Sequence, residues 1–406
     1  MMNRIRSAIS GYPRPFWILF WGLLISRSGG SMVWPFLTIY MRQTLDVPLT
    51  TITLLLTLNS ALGLVASFVA GPAVDRFGRK SAMVISLVAN SIVFVGMSIA
   101  SDLTSWAVLV ALSGIFGPLY AVGANAMVSD LVGPDRRPGA YALLRMIANV
   151  GVALGPVIGG FLISYSYAFA FYAAAATDVV FVILILFFVP ESVPEEERER
   201  AAESGGYGPI LRDRSFLAFC AVYVLAAMAY AIMMVLLPVY IKENFGVPEQ
   251  MYGFIMATNA TMVVLFQYPI TRLTERYNHL TVLAVGSLFY AIGVGSVALG
   301  AGFYAFLTSM VILTIGEMIM IPTSTALAAN MAPADMRGRY MGIYGLTWGI
   351  GFGTGPVIGG ILNDRIAPAM IWIGGLVMGF AATIGFVFLK RVIPSEKLEP
   401  IPSEAL

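Results

Sequence analysis

Charge is what this sequence has least of. Asp, Glu, Lys and Arg make up 11% of its 406 residues, whereas a soluble domain carries about a quarter. A single cysteine, Cys220, excludes an internal disulfide and a thiolate metal cluster. The one histidine, His279, falls at a loop, which argues against histidine as a buried proton carrier. No Gly-x-x-x-x-Gly-Lys-Ser/Thr loop occurs, so no P-loop ATP hydrolysis by this chain is expected. Nor is there a His/Cys/carboxylate cluster at metal-ligand spacing or a Gly-x-Ser-x-Gly turn. The expectation is a protein that is not an enzyme, with no metal and no cofactor. A net charge of +2 gives no reason to expect a nucleic-acid partner.

Apolar sequence fills the chain instead: 58% of residues are hydrophobic and the mean hydropathy is +0.83. It divides into stretches of about 20 residues, long enough to cross a ~30 Å hydrocarbon layer as helices. The predicted spans are 16–40, 49–70, 81–100, 104–127, 139–163, 167–189, 215–241, 251–271, 280–299, 303–328, 341–362 and 368–389. Helices are required because unpaired backbone groups cannot be left in lipid, and the runs are too long and unalternating for barrel strands. With the N-terminus inside, only Arg42, Lys242 and Arg365 fall on the outer side. Arg27 and Arg145 fall within spans and every other Lys and Arg lies inside, a strong positive-inside bias. Arg4, Arg6 and Arg14 precede the first span in the manner of a signal peptide. That stretch is too long, contains Arg27 and lacks a small-residue cleavage site, so a retained first helix is expected.

The spans form two copies of one unit. Gly151-Val-Ala-Leu-Gly155-Pro156-Val-Ile-Gly159-Gly160 returns as Gly351-Phe-Gly-Thr-Gly355-Pro356-Val-Ile-Gly359-Gly360. Tyr40/Tyr240, Pro48/Pro248, Asn59/Asn259, Arg76/Arg276, Asp135/Asp335 and Arg137/Arg337 keep the same offset. The expected fold is all-α, integral to the membrane, with twelve helices in two pseudo-symmetric six-helix bundles. The N-terminal bundle takes residues 1–189, a polar linker 190–214, and the C-terminal bundle with a short tail 215–406. The linker's charges and glycines predict a hydrated segment, partly helical around Glu195–Glu203.

Two motifs carry a family resemblance. Gly71-Pro-Ala-Val-Asp75-Arg76-Phe-Gly78-Arg79-Lys80 closes the second span, where Asp75 can accept from a helix N-terminus. It resembles the loop 2–3 signature of the major facilitator superfamily. The span 5 block resembles the antiporter signature of that superfamily's drug–proton branch. The resemblance implies that Asp75 and Arg76 join Asp130, Arg137 and the start of span 11 in an inner gate. The alternative is that these residues only satisfy topology and turn geometry. Span 4 lacks the arginine that drug–proton antiporters often carry, so that branch's proton machinery does not transfer intact. Pro190-Glu191-Ser192 after span 6 is only an incomplete sugar-porter signature.

Gly151, Gly155 and Gly159, like Gly351, Gly355 and Gly359, share one helix face where small residues admit a close neighbour. Pro156 and Pro356 each remove a backbone donor. Charges within spans are the next candidates, because each costs roughly 2.5–3.5 kcal/mol on insertion scales. Arg27 has Ser31 and Trp34 on its face, and Glu317 has Thr314 a turn before it. The superfamily fold implies a central cavity lined by spans 1, 4, 7 and 10, faced by Arg27 and Glu317. A structural ion pair or a neutralised acid is the bland alternative for both. Asp178, in span 6, either pairs internally or serves as a second proton site. Arg145, on a Tyr141/Arg145/Asn149 stripe, contacts substrate or partners an acid such as Asp130 or Glu317. Tyr120, Tyr230, Met233, Tyr344 and Trp348, with Asn59 and Asn259, complete the candidate cavity wall. Aromatic and methionine surfaces of this kind suit apolar or cationic ligands.

These features predict a secondary transporter working by alternating access, with parallel repeats flanking the binding site. Proton-coupled efflux of amphipathic drugs or metabolites is the favoured function, with Glu317 first as proton carrier. The location expected is the bacterial inner membrane with both termini cytoplasmic. The partners expected are a small-molecule substrate, protons and lipid, and the resemblance implies a monomer. A uniporter or importer of a sugar, organic acid or peptide is the alternative, and a non-transporting membrane sensor the third reading.

Overall fold

The computed structural model describes residues 11–133, 136–192, 210–333 and 336–393. Among these, the first six long helices are α1 (Arg14–Leu45), α2 (Leu49–Phe77), α3 (Arg79–Ile99), α4 (Leu103–Leu131), α5 (Arg137–Tyr165) and α6 (Tyr167–Phe188). The second six are α7 (Arg214–Phe245), α8 (Glu249–Thr274), α9 (His279–Ser296), α10 (Phe303–Met331), α11 (Arg337–Arg365) and α12 (Met370–Val392). Eleven of these helices have the length and apolar composition of a membrane span. The remaining one, α11, is as long, but its many glycines lower its hydropathy. Asp135, Asp335 and most of the linker, including 195–203, lie outside the described residues.

Helix ends follow local chemistry. Asp102 caps α4 by accepting from the Ser105 amide at 3.0 Å, and Asp213 caps α7 through Phe216 N at 3.1 Å. α7 stops at Gly246, whose φ of +65° a side chain would resist. Inside α1, Pro35 falls in a short tight turn of helix at Trp34–Phe36. Pro156 and Pro356 are accommodated within continuous helices.

The chain packs as two compact units: residues 11–37 with Ala61–133 and 136–192, and Thr38–Ser60 with 210–333 and 336–393, counting described residues. In the first unit α1 packs on α5 and α6, and α3 on α4 and α6. In the second, α7 packs on α11 and α12, and α9 on α10 and α12. The pairings repeat with the sequence offset. Packing divides the chain differently from sequence, because Thr38–Ser60 belongs with the second unit. Thr38 Oγ1 donates to Val235 O at 3.1 Å and Arg42 Nε to Glu243 Oε1 at 2.9 Å. Asp364 accepts from Thr50 N at 2.8 Å and from Leu49 N at 3.2 Å, satisfying amides at the start of α2.

Large apolar side chains face outward along most helices: Val65, Phe68 and Val69 on α2, Phe187 and Phe188 on α6, Val264 and Leu265 on α8, Val377 and Ile384 on α12. Apolar exteriors this extensive need lipid around them. The protein is a multi-pass membrane protein.

Candidate functional site

Glu317, on α10 in the second unit, is half-buried. Its Oε2 accepts from Asn259 Nδ2 on α8 at 2.7 Å. The same amide donates to Thr314 Oγ1 at 2.9 Å, and that hydroxyl donates to Met310 O at 2.7 Å. Tyr230 of α7 is the other polar neighbour of the carboxyl. The charge is thus held by neutral donors, with no cation paired to it among the described residues. Such a carboxyl can change protonation without breaking an ion pair.

An aromatic wall adjoins it. The Tyr230 ring lies 5.6 Å from Trp348 and 5.5 Å from Tyr290, and Tyr223 lies 5.2 Å from Tyr344. Ser324 Oγ and the Tyr344 hydroxyl are 2.7 Å apart, anchoring the wall to α10. Trp348 and Tyr230 keep partial exposure, whereas Tyr344, Tyr223 and Tyr290 are buried and back the wall from behind rather than face a cavity. Met233 has no exposed surface and must be removed from the wall, because its face of α7 turns into the bundle; Met234 is the partly exposed neighbour. Thr314 and Asn259 are likewise buried: Asn259 bonds the Glu317 carboxyl and Thr314 braces Asn259. Asn59 is half-buried on α2 within this unit. Tyr290 escaped sequence reasoning because span 9 carries no stripe that distinguishes it from packing.

In the first unit the buried acid is Asp178, 1% exposed on α6. Both its oxygens are taken, one by Ser26 Oγ at 2.7 Å and one by Asn90 Nδ2 at 2.8 Å. Arg27 and Arg145, by contrast, are exposed and line one cavity of about 250 Å³ with Tyr120 and Asn125. Ser31 does not belong to that cavity; it lies in the α1–α5 seam, where a Cβ at Gly155 would reach 2.6 Å from the Ser28 carbonyl oxygen. Trp34 is exposed at the turn inside α1. The glycine ladders therefore set helix spacing in both units: a Cβ at Gly151 would come 2.9 Å from Arg27 Cβ, and one at Gly355 2.7 Å from Met228 O. Gly159 and Gly359 continue the two seams against Met32 and Leu236.

The loop 2–3 motif departs from its expected pairing. Gly78 has φ +94° and a Cβ there would strike Glu191. It is Glu191, not Asp75, that caps α3, with Oε1 accepting from Arg79 N at 2.9 Å and Oε2 from Lys80 N at 3.2 Å. Arg79, nearly buried, pairs with Asp130 at 3.2 Å and only distantly with Asp75 at 3.7 Å. Asp130 also accepts from Ser192 Oγ at 2.6 Å. Lys80 Nζ donates to Leu186 O at 2.8 Å. Arg137 donates to Val132 O and Ser129 O at the end of α4, while Arg76, among the described residues, reaches only the Phe77 ring. Gly71 meets nothing that a Cβ would strike. The motif thus docks the loop after α6 onto the start of α3.

The same frame occurs in known proteins. The multidrug resistance protein MdtH of Shigella boydii is 28% identical over 299 residues, 72% of each chain. A Na(+), Li(+), K(+)/H(+) antiporter of Planococcus maritimus is 27% identical over 396 residues, 88% of this chain and 91% of that one. The uncharacterized MFS-type transporter YhjO of Bacillus subtilis is 24% identical over 372 residues, 92% of both. Among solved structures, the nucleoside transporter NupG superposes with a TM-score of 0.81 at 13% identity, covering 93% of this chain and all of that one. A POT family transporter in complex with 5-aminolevulinic acid gives 0.78 at 16%, covering 95% and 97%. The profile of the Major Facilitator Superfamily matches residues 19–223 and again 219–405, one repeat after the other. With its duplicated six-helix packing and both halves matched in turn, the chain belongs to the Major Facilitator Superfamily, as a membrane transporter.

Proposed function

We propose that this transporter is a proton-coupled exporter of amphipathic drugs or metabolites, working by alternating access in a bacterial inner membrane with both termini cytoplasmic. Glu317 is its proton carrier. The observation that carries this reading is the carboxyl's setting: only partly buried, beside an aromatic wall, and hydrogen-bonded only by neutral groups. A proton can reach it, and neither protonation state strands a partner charge. Asp178 is the weaker candidate, since it is 1% exposed and both its oxygens are already engaged by Ser26 and Asn90. The MdtH and cation/proton antiporter relatives support efflux and exchange as the direction of work.

The test is flux of a panel of anionic, zwitterionic and cationic amphipaths in proteoliposomes, with and without an imposed pH gradient. Wild type is expected to concentrate at least one solute when the gradient is applied. Glu317→Gln is expected to lose gradient-driven accumulation and keep downhill exchange. Unchanged accumulation by Glu317→Gln rejects the assignment. Replacing Na⁺ and K⁺ by choline separates proton coupling from the cation exchange named for the Planococcus relative.

A further inference from the structure

The cavity of about 250 Å³ inside the first unit carries two positive charges and no negative one. It is lined by Arg27 from α1, Tyr120 and Asn125 from α4, and Tyr141 and Arg145 from α5, with no Asp or Glu among its lining residues. Neither guanidinium makes an ion pair or hydrogen bond among the described residues. Asp178, the buried acid of this unit, lies within electrostatic reach of Arg27 but forms no ion pair with it, its two oxygens being held by Ser26 and Asn90. Asp130 is engaged by Arg79 and Ser192. The glycine ladder brings the arginines together, since at Gly151 the α5 backbone lies against Arg27 itself. The Tyr141 hydroxyl is occupied by Asn125 O at 3.0 Å and Ser129 Oγ at 2.9 Å. The Tyr120 hydroxyl and the Asn125 amide have no partner among the described residues and add further donors. Leu19, Leu23, Leu144 and Val128 supply an apolar surface to the same cavity.

Two guanidiniums sharing a cleft repel each other, and an arginine at membrane depth is costly unless something negative or watery meets it. Planar forks of N–H donors match an oxyanion in both geometry and charge. We infer that Arg27 and Arg145 form the subsite for an oxyanion (carboxylate, phosphonate or sulfonate) of an organic solute whose apolar body lies along the leucines. The inference deepens the transport reading and rests on it: the transported solute is an organic anion or zwitterion rather than a simple cation.

The same chemistry could come from a lipid headgroup phosphate or from free phosphate, so the test separates these sources. Melting of the purified full chain in a neutral detergent is followed with phenylphosphonate, benzoate, benzyltrimethylammonium, inorganic phosphate and phosphatidylglycerol. Phenylphosphonate and benzoate are expected to raise the Tm of wild type in a saturable way, and benzyltrimethylammonium to leave it unchanged. Arg27→Gln and Arg145→Gln are expected to weaken the oxyanions about tenfold or more, the loss of one charge-assisted contact. Arg145→Lys should retain most of the effect, and Arg145→Glu, which neutralises Arg27, should abolish it. These two variants decide the matter if Arg27→Gln fails to fold. Equal stabilisation by benzyltrimethylammonium, or oxyanion shifts unaltered by Arg145→Glu, overturns the inference. So does stabilisation by phosphatidylglycerol alone, or by inorganic phosphate as strongly as by phenylphosphonate. Flux distinguishes the two levels: transport only of cations with no oxyanion binding sinks the subsite and spares the transporter. Oxyanion binding without flux of any solute does the reverse.

Discussion

The first unit presents guanidiniums to solvent, Arg27 and Arg145, and ties up its buried acid with Ser26 and Asn90. The second presents a carboxyl, Glu317, on neutral donors beside Tyr230, Tyr290 and Trp348. Both rest on the same packing: α1 against α5 and α7 against α11, each seam spaced by a glycine ladder. The duplication preserved what sets helix distance, and the chemistry on the helices diverged. A repeat therefore locates the frame, while the ionisable residues that differ between the units are where the proposed chemistry is sought.

The largest expected effects test the shared frame. Gly155→Val and Gly355→Val each push a side chain into the facing backbone and should cost about 1–3 kcal/mol or more. Gly345, where a Cβ meets nothing within 4 Å, should tolerate alanine with a gain of roughly 0.5–1 kcal/mol. Melting in detergent measures all three. A mild effect at only one of the two ladder positions would break the equivalence of the units.

The two acids sharpen the contrast in function. Asp178→Asn leaves one acceptor oxygen for two donors and should cost about 1–3 kcal/mol while leaving gradient-driven flux intact. Glu317→Gln should cost less in stability and remove the coupling. Reversed outcomes would assign the proton to the first unit.

A smaller difference concerns how corresponding helices begin. α3 is capped from a distance by Glu191, whereas α9 is capped locally by Asn278, whose Oδ1 accepts from Leu280 N at 3.1 Å. Asn278→Ala should cost about 1 kcal/mol, a normal cap. Glu191→Ala should cost more, because the loop that places Ser192 on Asp130 loses its anchor as well. The order is read from paired melting curves.

The smallest expected effect is a pH dependence. The hydrogen bonds from Ser105 hold the exposed Asp102 below its ordinary carboxylate value. A lowered folded-state pKa contributes stability above the unfolded value that is lost as pH falls through the folded one. Asp102→Ala should therefore melt slightly below wild type at neutral pH, and the two Tm curves should converge as acid protonates the folded-state carboxyl.

The spans, the repeat and the glycine ladders were legible because long apolar runs and fixed offsets are local patterns. Glu317 and Arg27 stood out because a charge in an apolar run is costly wherever the helix turns. Three features were not legible. Glu191 reaches α3 across more than a hundred residues, and nothing near Pro190 signals that docking. Met233 and Met234 are neighbours, and only the packed helix reveals which one is buried. The C-terminal part of α1 and the first part of α2, Thr38–Ser60, pack with the second unit through Asp364 and Glu243. A division read from a repeat could not anticipate that exchange.

The central claim is that the proton is carried by Glu317 in the second unit. It is tested most directly by recording internal pH with a trapped dye in proteoliposomes as a transported solute is added. Wild type should move protons against the solute, Asp178→Asn should do the same, and Glu317→Gln should bind solute without any proton signal. A full proton signal from Glu317→Gln would contradict the account.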